Sequence, residues 1–329
     1  MQTLKKYLCG KKVLFITTKN IDYIRNIQEI RILKNESASV DIIYSGKKSY
    51  IERIIEIWWK LLFLNKNYDV IFIGFAPQLL APFFPKFKKQ KIIIDFFISV
   101  YDTLVNDRKI FSDRSLISRF FHSIDSCVIK KADIVVTDTK ADAEYFIEEF
   151  NGNSNKFKTI YLEADKAIYY PREQRKRQDL MNKYVVLYFG SVLPLQGVDV
   201  VLDAIKLLKN EKDIFFQVIG PISKKYSKPV QDNVEYIDWL EQKELAEYIA
   251  NADLCLAGHF NGEIDKAKRT IPGKAYIYAA MHKKMILGEN RANHEINLGE
   301  NNSYVKLGSV NSLIREIISC KELNTKKII

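Results

Sequence analysis

Short apolar runs alternate with amphipathic stretches along the first half of the chain. The runs at 12–17, 40–44, 70–73, 91–95, 133–137 and 158–162 have the length and composition of buried strands. Two of the stretches between them, 21–33 and 51–64, carry apolar side chains at helical spacing, with Ile24, Ile27, Ile30 and Leu33 predicted on one buried face. Strands that alternate with helices in this way predict a parallel sheet covered on both faces.

The alternation stops at 169–183, where Tyr-Tyr-Pro is followed by a charged run, and it restarts at Val185. The second half predicts strands at 185–189, 214–219, 234–237, 253–257 and 285–287, and helices at 198–208, 242–250, 273–282 and 313–318. We therefore predict an α/β protein with two Rossmann-like parallel-sheet domains that face a central cleft. The expected N-terminal domain is 1–170, the linker 171–183 and the C-terminal domain 184–329. In such open sheets ligands bind beyond the carboxyl ends of the strands, which makes the cleft the expected ligand site.

The stretch 185–208 combines a strand, a turn of small residues and a helix. Gly190 and Ser191 end the strand, and Gln196 and Gly197 come directly before the helix. Backbone N–H groups at such a turn, together with a helix N-terminus, can hold phosphate oxygens. The pattern favours a phosphate-binding turn, and the alternative is an ordinary strand–helix connection.

The charge of the chain points to an acidic partner. The 51 lysines and arginines exceed the 40 aspartates and glutamates, giving a net charge of +11. Such a charge suits a nucleotide, an anionic membrane or a nucleic acid, but no recognised nucleic-acid motif is present, so we expect no nucleic-acid partner. The alternative is a basic but inert surface.

Cysteine spacing and hydropathy predict a cytoplasmic protein. The four cysteines, Cys9, Cys127, Cys255 and Cys320, lie far apart, which predicts reduced, buried thiols. The N-terminal segment lacks the apolar core of a signal peptide, and charged residues interrupt 51–64, which is too short for a transmembrane helix. The same stretch holds Trp58 and Trp59 and lies near the apolar and basic segment 82–89, so a peripheral hold on an anionic membrane is also expected. The alternative is that the two tryptophans belong to the core or to a protein interface.

Several familiar chemistries are missing from the sequence. There is no GxGxxG, no GxxxxGK[ST] and no GxSxG, and the four histidines His122, His259, His282 and His294 lack metal-ligand spacing. No Asp-x-Asp is present to hold a metal-bridged diphosphate. We therefore expect no metal and no cofactor, and the positive charge for a diphosphate must come from side chains.

Three segments together carry a resemblance to a known family. They are FGSVLPLQGVDVVLDAIKLL at 189–208, NADLCLAGHFNGEIDKAKRTIPGKAYIYAAM at 251–281, and HEI around Glu295. They resemble the retaining glycosyltransferases of the two-domain GT-B fold, of the family 4 type, and looser similarity extends over 92–109 and 130–146. The resemblance implies transfer of a sugar from a nucleotide-sugar donor to a saccharide acceptor, lipid-linked as in bacterial surface-polysaccharide or capsule assembly. Such an acceptor suits the membrane contact expected of 51–64 and 82–89, which predicts a peripheral place at the inner face of the plasma membrane.

The resemblance assigns roles on the donor side. It implies that Gly190 and Ser191 hold the donor diphosphate, beside Gln196 and Gly197, although a basic residue is usual where Gln196 stands. The two glutamates of the family, seven residues apart, are replaced by Arg269 and Ile277. Relatives with a basic loop and a Pro-x-Lys sequence are more similar. They imply that Lys268, Arg269 and Lys274 lie near the phosphates and Glu295 near the sugar hydroxyls or the ribose. Gly220 and 237–239 end predicted strands on the donor side and are expected to border the nucleobase. His259, in the loop expected to face the cleft, and Pro272 are further expected substrate contacts.

The acceptor side is less well marked. Asp102, Asp107 and Arg108 follow a predicted strand and are candidates to assist the attacking hydroxyl, with a local ion-pair network as the alternative. In retaining members the leaving phosphate itself can take the acceptor proton, so a separate base is not required. His122 is expected on a helix surface. Two rival functions remain at this point, a nucleotide-sugar epimerase and a non-catalytic glycosyltransferase-like subunit, the second because of Gln196 and the missing glutamates.

Overall fold

The computed structural model describes residues 2–64, 67–84, 90–190, 193–300 and 302–328. The chain forms two compact units, Met1–Glu163 and Ala164–Ile329. Each unit holds a six-stranded, fully parallel sheet among the described residues, so the predicted pair of Rossmann-like α/β domains is confirmed. Ser191, one of the predicted phosphate contacts, lies outside the described residues, as does 85–89.

The first unit has its strands in the order β2-β1-β3-β4-β5-β6. Its elements are α1 (Gln2–Leu8), β1 (Lys12–Ile16), α2 (Ile24–Glu36), β2 (Ser39–Ile43), α3 (Tyr50–Leu62), β3 (Val70–Ile73), β4 (Lys91–Asp95), α4 (Leu116–Lys131), β5 (Ile134–Thr137), α5 (Lys140–Glu149) and β6 (Phe157–Thr159). Strands β3 and β5 are buried along their whole length, and β1 and β4 after their first residue, because helices cover both faces of the sheet.

The buried face of α2 differs from the prediction. Ile27 is 51% exposed, whereas Arg25 and Glu29 are buried. The Arg25 guanidinium Nη2 lies 3.0 Å from Asp95 Oδ1 at the end of β4, and its Nε lies 3.4 Å from Glu29 Oε1. Burial and the neighbouring Asp95 raise the pKa of the Glu29 carboxyl well above its usual value, which favours its neutral form. The ion pair between Arg25 and Asp95 turns the polar side of α2 inward. The spacing of apolar residues in the sequence does not reveal such a pair.

The second unit has its strands in the order β12-β11-β10-β7-β8-β9. Its elements are β7 (Tyr184–Phe189), α6 (Val198–Leu207), β8 (Ile214–Ile219), β9 (Val234–Ile237), α7 (Gln242–Asn251), β10 (Leu254–Gly258), α8 (Gly273–Ala280), β11 (Met285–Gly288), β12 (Ser303–Val305) and α9 (Val310–Ile328). The edge strand β12 was not predicted, and α9 is three times longer than the six residues expected at 313–318.

The charged segment 171–183 lies against the second unit. Arg172 forms an ion pair with Glu247 of α7, and Lys176 Nζ lies 2.5 Å from Asp253 Oδ2. The same Asp253 carboxylate accepts a hydrogen bond from the backbone N–H of Val185, at the start of the first strand of this unit. These contacts fix the path of the chain into β7.

Two of the four cysteines depart from the prediction of buried thiols. Cys9 and Cys127 are exposed, whereas Cys255 and Cys320 are buried, and all four are free thiols. Burial raises the pKa of the Cys255 thiol to about 12, which keeps this sulfur protonated and inert. Over the described part of the chain, no helix combines the length and the apolar character needed to cross a membrane.

Candidate functional site

Glycines stand at the carboxyl ends of four neighbouring strands in the second sheet. Gly190 follows β7 and Gly220 follows β8, while Gly258 and Gly288 are the last residues of β10 and β11. A Cβ atom on Gly220 would lie 2.3 Å from the carbonyl oxygen of Gly190, and one on Gly288 would lie 2.2 Å from that of His259. Main-chain atoms of neighbouring segments therefore pack directly on one another here. Because the glycines carry no side chains, a ligand at this edge of the sheet can approach the backbone closely.

Lys274 brings a cation to this glycine-lined edge. It is the second residue of α8, and its side chain turns inward so that the residue is only 6% exposed. The Nζ atom lies 3.1 Å and 3.4 Å from the positions that Cβ atoms would occupy on Gly258 and Gly190. It has no hydrogen-bond partner among the described residues, and burial lowers the pKa of this amine well below its usual value.

Tyr188, in β7, supports both side chains that reach this position. The Lys274 Nζ sits 3.8 Å from the centre of the Tyr188 ring, within range of a cation–π interaction. The Tyr188 hydroxyl donates to Gln196 Oε1 at 2.9 Å, and this oxygen lies 2.9 Å from the Cβ position of Gly190. One buried tyrosine thus fixes the places of an ammonium and an amide at the end of the same strand.

The N-terminal end of α6 follows this turn directly. Its N-cap residue is Gly197, with φ of 63°, and glycine has no side chain with which to cap the helix. A Cβ at Gly197 would lie 2.6 Å from the backbone nitrogen of Asn261, so only glycine lets the loop after β10 approach so closely. The carbonyl of Gln196 accepts a hydrogen bond from Phe260 N–H at 3.2 Å, which joins the two loops.

A buried network holds the loop between β10 and α8. Asn290, which follows β11, donates from Nδ2 to the carbonyls of Ala267 at 2.8 Å and Thr270 at 3.2 Å. His259 Nδ1 also lies 3.2 Å from the Thr270 carbonyl, and burial lowers the pKa of its imidazole to about 3. The neutral ring therefore donates its Nδ1–H to that carbonyl over the physiological pH range.

The remaining predicted donor-side residues occupy different surroundings. Arg269 is buried in the same loop, whereas the Lys268 side chain is half exposed and lies 3.1 Å from Asp265, three residues earlier. Pro272 precedes the first residue of α8, and Glu295 follows the short helical turn Ala292–His294 and is partly buried. The structure thus brings Gly190, Gln196 and Lys274 together and places Lys268 on the outside of the loop.

The candidates in the first unit lie on a π-helical turn, Asp102–Asp107. Asp102 is fully buried, and its Oδ1 accepts a hydrogen bond from Asn106 Nδ2 at 3.2 Å. Asp107 is buried and Arg108 is exposed. The neighbouring Asp125 carboxylate accepts hydrogen bonds from Ser99 Oγ at 2.7 Å and from the Tyr101 N–H at 2.9 Å, which fixes the loop between β4 and the turn.

His122 lies on α4, as predicted, and is partly exposed. Its imidazole Nε2 is 3.3 Å from Glu149, and its ring packs edge-on against Tyr101 with centroids 5.1 Å apart. The histidine therefore packs in an aromatic cluster on the helical side of the sheet.

Sequence reasoning missed Tyr188 and Asn290. Tyr188 belongs to the apolar run 185–189, and the hydrophobic pattern of that run predicts only a core position. Asn290 follows a strand end in the same sheet as Gly190 and Gly258, and that shared position was the one signal that could have found it.

Comparison with known proteins agrees with this architecture. Residues 183–322 match the family model for glycosyl transferases group 1. An MMP alpha-(1->4)-mannosyltransferase from Mycolicibacterium hassiacum is 25% identical over 150 residues, which cover 43% of this chain and 35% of the mannosyltransferase. The match thus spans about a third of the length of that relative.

Solved structures extend the similarity to both units. HepE from Anabaena, in complex with UDP-glucose, has a TM-score of 0.62 at 14% identity, covering 96% of this chain and 91% of its own. WaaG, a glycosyltransferase of lipopolysaccharide biosynthesis, has a TM-score of 0.56 at 12% identity, with 94% and 90% coverage. Sucrose-phosphate synthase from Thermosynechococcus elongatus has a TM-score of 0.64 at 12% identity, with 95% and 90% coverage. The chain has the GT-B glycosyltransferase fold, and its second unit carries the group 1 glycosyl transferase sequence pattern.

Proposed function

We propose that this protein is a retaining, metal-independent glycosyltransferase that moves a sugar from a nucleotide-sugar donor to a saccharide acceptor. The GT-B fold and the group 1 match of residues 183–322 support the class of reaction. The observation that carries the proposal is the Lys274 amine, buried without a hydrogen-bond partner among the described residues at a strand edge lined with glycines. A diphosphate is the kind of ligand that a buried cation beside open backbone suits.

Lys274 and the glycine turn supply what the departing group needs. Cleavage of a sugar–phosphate bond leaves negative charge on the nucleoside diphosphate, and a preorganised cation stabilises that charge without reorganisation. We propose that the diphosphate lies over Gly190, beside Gln196 and the N-terminus of α6, with its charge facing Lys274. Ser191, Gly197, Gly220 and His259 are then proposed as further donor contacts.

The loop before α8 completes the proposed donor site. Arg269 and Lys268 are proposed to contact the phosphates or the sugar, with Pro272 fixing the start of the helix. Glu295 is proposed to bind hydroxyl groups of the sugar or ribose. Lys268 must exchange its contact with Asp265 for the ligand, so we expect it to contribute less than Lys274.

We assign the acceptor to the first unit. Asp102, Asp107 and Arg108 are the proposed residues that contact the attacking hydroxyl, and the leaving phosphate oxygen accepts its proton as the new bond forms. A saccharide attached to a lipid carrier, used for a surface polysaccharide or capsule, is the proposed acceptor. This places the protein at the inner face of the plasma membrane.

Donor binding, followed by turnover, tests the proposal. Thermal unfolding with a panel of nucleoside diphosphates and nucleotide sugars, UDP-glucose first because HepE binds it, should show a raised midpoint with one base. The selected donor should then release its nucleoside diphosphate only when a saccharide acceptor is present, with the anomeric configuration of the product retained by NMR. Activity should persist in EDTA, because Lys274 supplies the positive charge.

Three outcomes would overturn parts of this assignment. Binding without turnover on any acceptor would indicate a non-catalytic subunit. An altered donor sugar without acceptor would indicate an epimerase. Complete loss of turnover in EDTA, restored by a divalent cation, would contradict the metal-independent mechanism.

A further inference from the structure

An apolar stripe runs along the outer face of α3. It consists of Ile51, Ile55, Trp59, Leu62 and Phe63, whose side chains are between 63% and 76% exposed. Their spacing places them on one side of the helix, opposite the buried residues Arg53 and Ile57. Single exposed apolar residues are ordinary, but a continuous row of five large ones marks a binding surface.

The stripe continues across the same face of the first unit. Phe83 is 73% exposed and belongs to a segment between two helices, since Trp58 of α3 packs on Phe84 with ring centroids 5.4 Å apart and Lys131 of α4 donates to the Pro82 carbonyl. The first turns of α4 expose further large apolar side chains, those of Leu116, Ile117 and Phe120. The inner sides of both helices join one hydrophobic core on this face of the sheet, so their outer sides face the same direction.

Basic residues border the stripe. Lys47 and Lys48 are exposed just before α3, and Lys60 is exposed near its end. Lys60 Nζ and Ser45 Oγ each lie 2.6 Å from the Glu56 carboxylate, which offsets that negative charge. Residues 1–163 together contain 26 lysines and arginines against 19 aspartates and glutamates. Glu52 is also exposed, on the first turn of α3, but Lys47 and Lys48 outnumber it, so the charge beside the stripe suits an anionic partner.

We propose that the stripe on α3, together with Phe83, inserts into the headgroup and acyl-chain boundary of a bilayer that contains anionic lipids. Lys47 and Lys48 then contact the lipid phosphates, while Lys60 stays paired with Glu56. Tryptophan and leucine on one side of a helix with lysines beside them is the pattern of helices that lie in a membrane interface. A bilayer also suits a row on a single packed helix better than a protein partner does, because lipids require no matching shape. The proposal is independent of glycosyl transfer, although it would bring the first unit to a lipid-linked acceptor.

Vesicle binding tests this surface directly. The full chain is sedimented with vesicles of phosphatidylcholine alone or with one third phosphatidylglycerol, and tryptophan emission is recorded with brominated lipids as quenchers. We expect binding to the anionic vesicles with quenching of tryptophan emission, and roughly tenfold weaker binding for the double variant Ile55→Gln, Trp59→Gln, which removes two apolar side chains from the boundary.

The second unit offers a matched control. Trp239 is 66% exposed, close to the 63% of Trp59, but lies in the other unit. Trp239→Gln should leave vesicle binding unchanged. Circular dichroism checks folding, and if the double variant unfolds, Trp59→Gln alone and quenching of the unaltered chain still decide the question.

A separate variant tests the charges. Lys47→Gln with Lys48→Gln should weaken binding to anionic vesicles several-fold and leave the weak binding to phosphatidylcholine unchanged. Equal loss in Trp239→Gln, or no binding to either vesicle, would overturn the proposal. Dimerisation in light scattering that is lost in Trp59→Gln, without vesicle binding, would identify a second copy as the occupant instead. Nucleoside-diphosphate binding by the α3 and lysine variants reports the donor site independently, and Trp239→Gln is used for vesicle binding alone because 237–239 is itself expected along the donor.

Discussion

Replacing Lys274 by methionine should make the protein more stable and weaken its binding of a diphosphate. The Nζ atom is buried beside Tyr188, Gly190 and Gly258, with no hydrogen-bond partner among the described residues. Methionine has a similar length and no charge, so it can fill the same space against the Tyr188 ring. The two effects have opposite signs because the same charge opposes folding and favours the ligand.

The stability effect follows from the direction of the pKa shift. Burial lowers the pKa of Lys274 in the folded chain below its unfolded value, so the unfolded state holds more protons between the two values. Its unfavourable contribution is therefore largest at low pH and disappears as the pH rises through the unfolded pKa. Replacing this buried, unpaired charge by a side chain of similar volume stabilises by roughly 1–4 kcal/mol, which at about 2–4 °C per kcal/mol corresponds to about 2–16 °C in the unfolding midpoint of a domain of this size. The cation–π contact with Tyr188 offsets part of this, which favours the lower end.

Lys274→Met should also weaken diphosphate binding, by somewhat more free energy than it adds to stability. A charge-assisted hydrogen bond to a phosphate contributes about 2–4 kcal/mol when it is shielded from water, which corresponds to roughly 30- to 1,000-fold in the dissociation constant. We expect calorimetric titration with the selected nucleoside diphosphate to show this loss for Lys274→Met, while the unfolding midpoint rises. Lys268→Met is the matched control, because that lysine is exposed and already paired with Asp265. It should change affinity less than tenfold.

Two results would refute the reasoning. A Lys274→Met chain that unfolds at a lower temperature at neutral pH would mean that the amine has a stabilising partner. Unchanged diphosphate affinity would remove Lys274, and with it the glycine-lined edge of β7 and β10, from the proposed site.

Three further substitutions test the structure around Lys274. Tyr188→Phe keeps the ring under the amine but frees Gln196, so diphosphate affinity should fall about five- to tenfold by titration, against a larger fall for Tyr188→Leu. Gly220→Ala should destabilise by about 2–4 kcal/mol in urea unfolding, because its Cβ meets the Gly190 carbonyl at 2.3 Å, whereas Gly299→Ala, with a similar φ and no close atom, should cost about 1 kcal/mol. Burial lowers the pKa of His259 from 6.5 in the unfolded chain to about 3, so the unfolded state binds a proton more readily as the pH falls between these values. The free energy of unfolding should therefore drop by on the order of 3 kcal/mol by pH 4. His259→Asn removes this proton uptake, so the stability of that variant should fall less steeply on acidification. Two results would contradict these assignments: a free energy of unfolding equal to that of the unaltered chain in both glycine variants, or the same dependence of stability on acidic pH in His259→Asn as in the unaltered chain.

The alternation of apolar strands and amphipathic helices was enough to predict both sheets, because each central strand is a continuous buried run. It failed where an element depends on a distant partner. Strand β12, Ser303–Val305, has three residues and only one of them is buried, so its pairing with β11 decides its conformation. Arg25 turns inward because its guanidinium pairs with Asp95 at the end of β4, seventy residues later in the chain, and Glu29 lies beside that guanidinium. Hydrophobic periodicity contains no information about such pairs.

The candidate site divides in the same way. Gly190 and Lys274 were predicted from a turn and a family resemblance, and the structure brings them together. The contact of Lys268 with Asp265 could have been expected, because side chains three residues apart meet on a helical turn. The roles of Tyr188 and Asn290 could not, because they depend on which strand ends are neighbours in the folded sheet.

The lack of a carboxylate beside Lys274, within the part of the chain that the structure describes, is consistent with a ligand that brings its own negative charge. A lysine already paired, as Lys268 is with Asp265, must break that contact before it can bind phosphate, and an acidic neighbour would repel the incoming group. The unpaired, buried Lys274 has neither obstacle. Its burial, however, disfavours the protonated form and lowers the pKa of the amine well below its usual value. A bound diphosphate would raise the pKa of that amine again and so favour its protonated, cationic form in the complex. A basic side chain at position 196 would repel the Lys274 ammonium, whereas the uncharged amide of Gln196, held by Tyr188, lets the lysine be buried beside it.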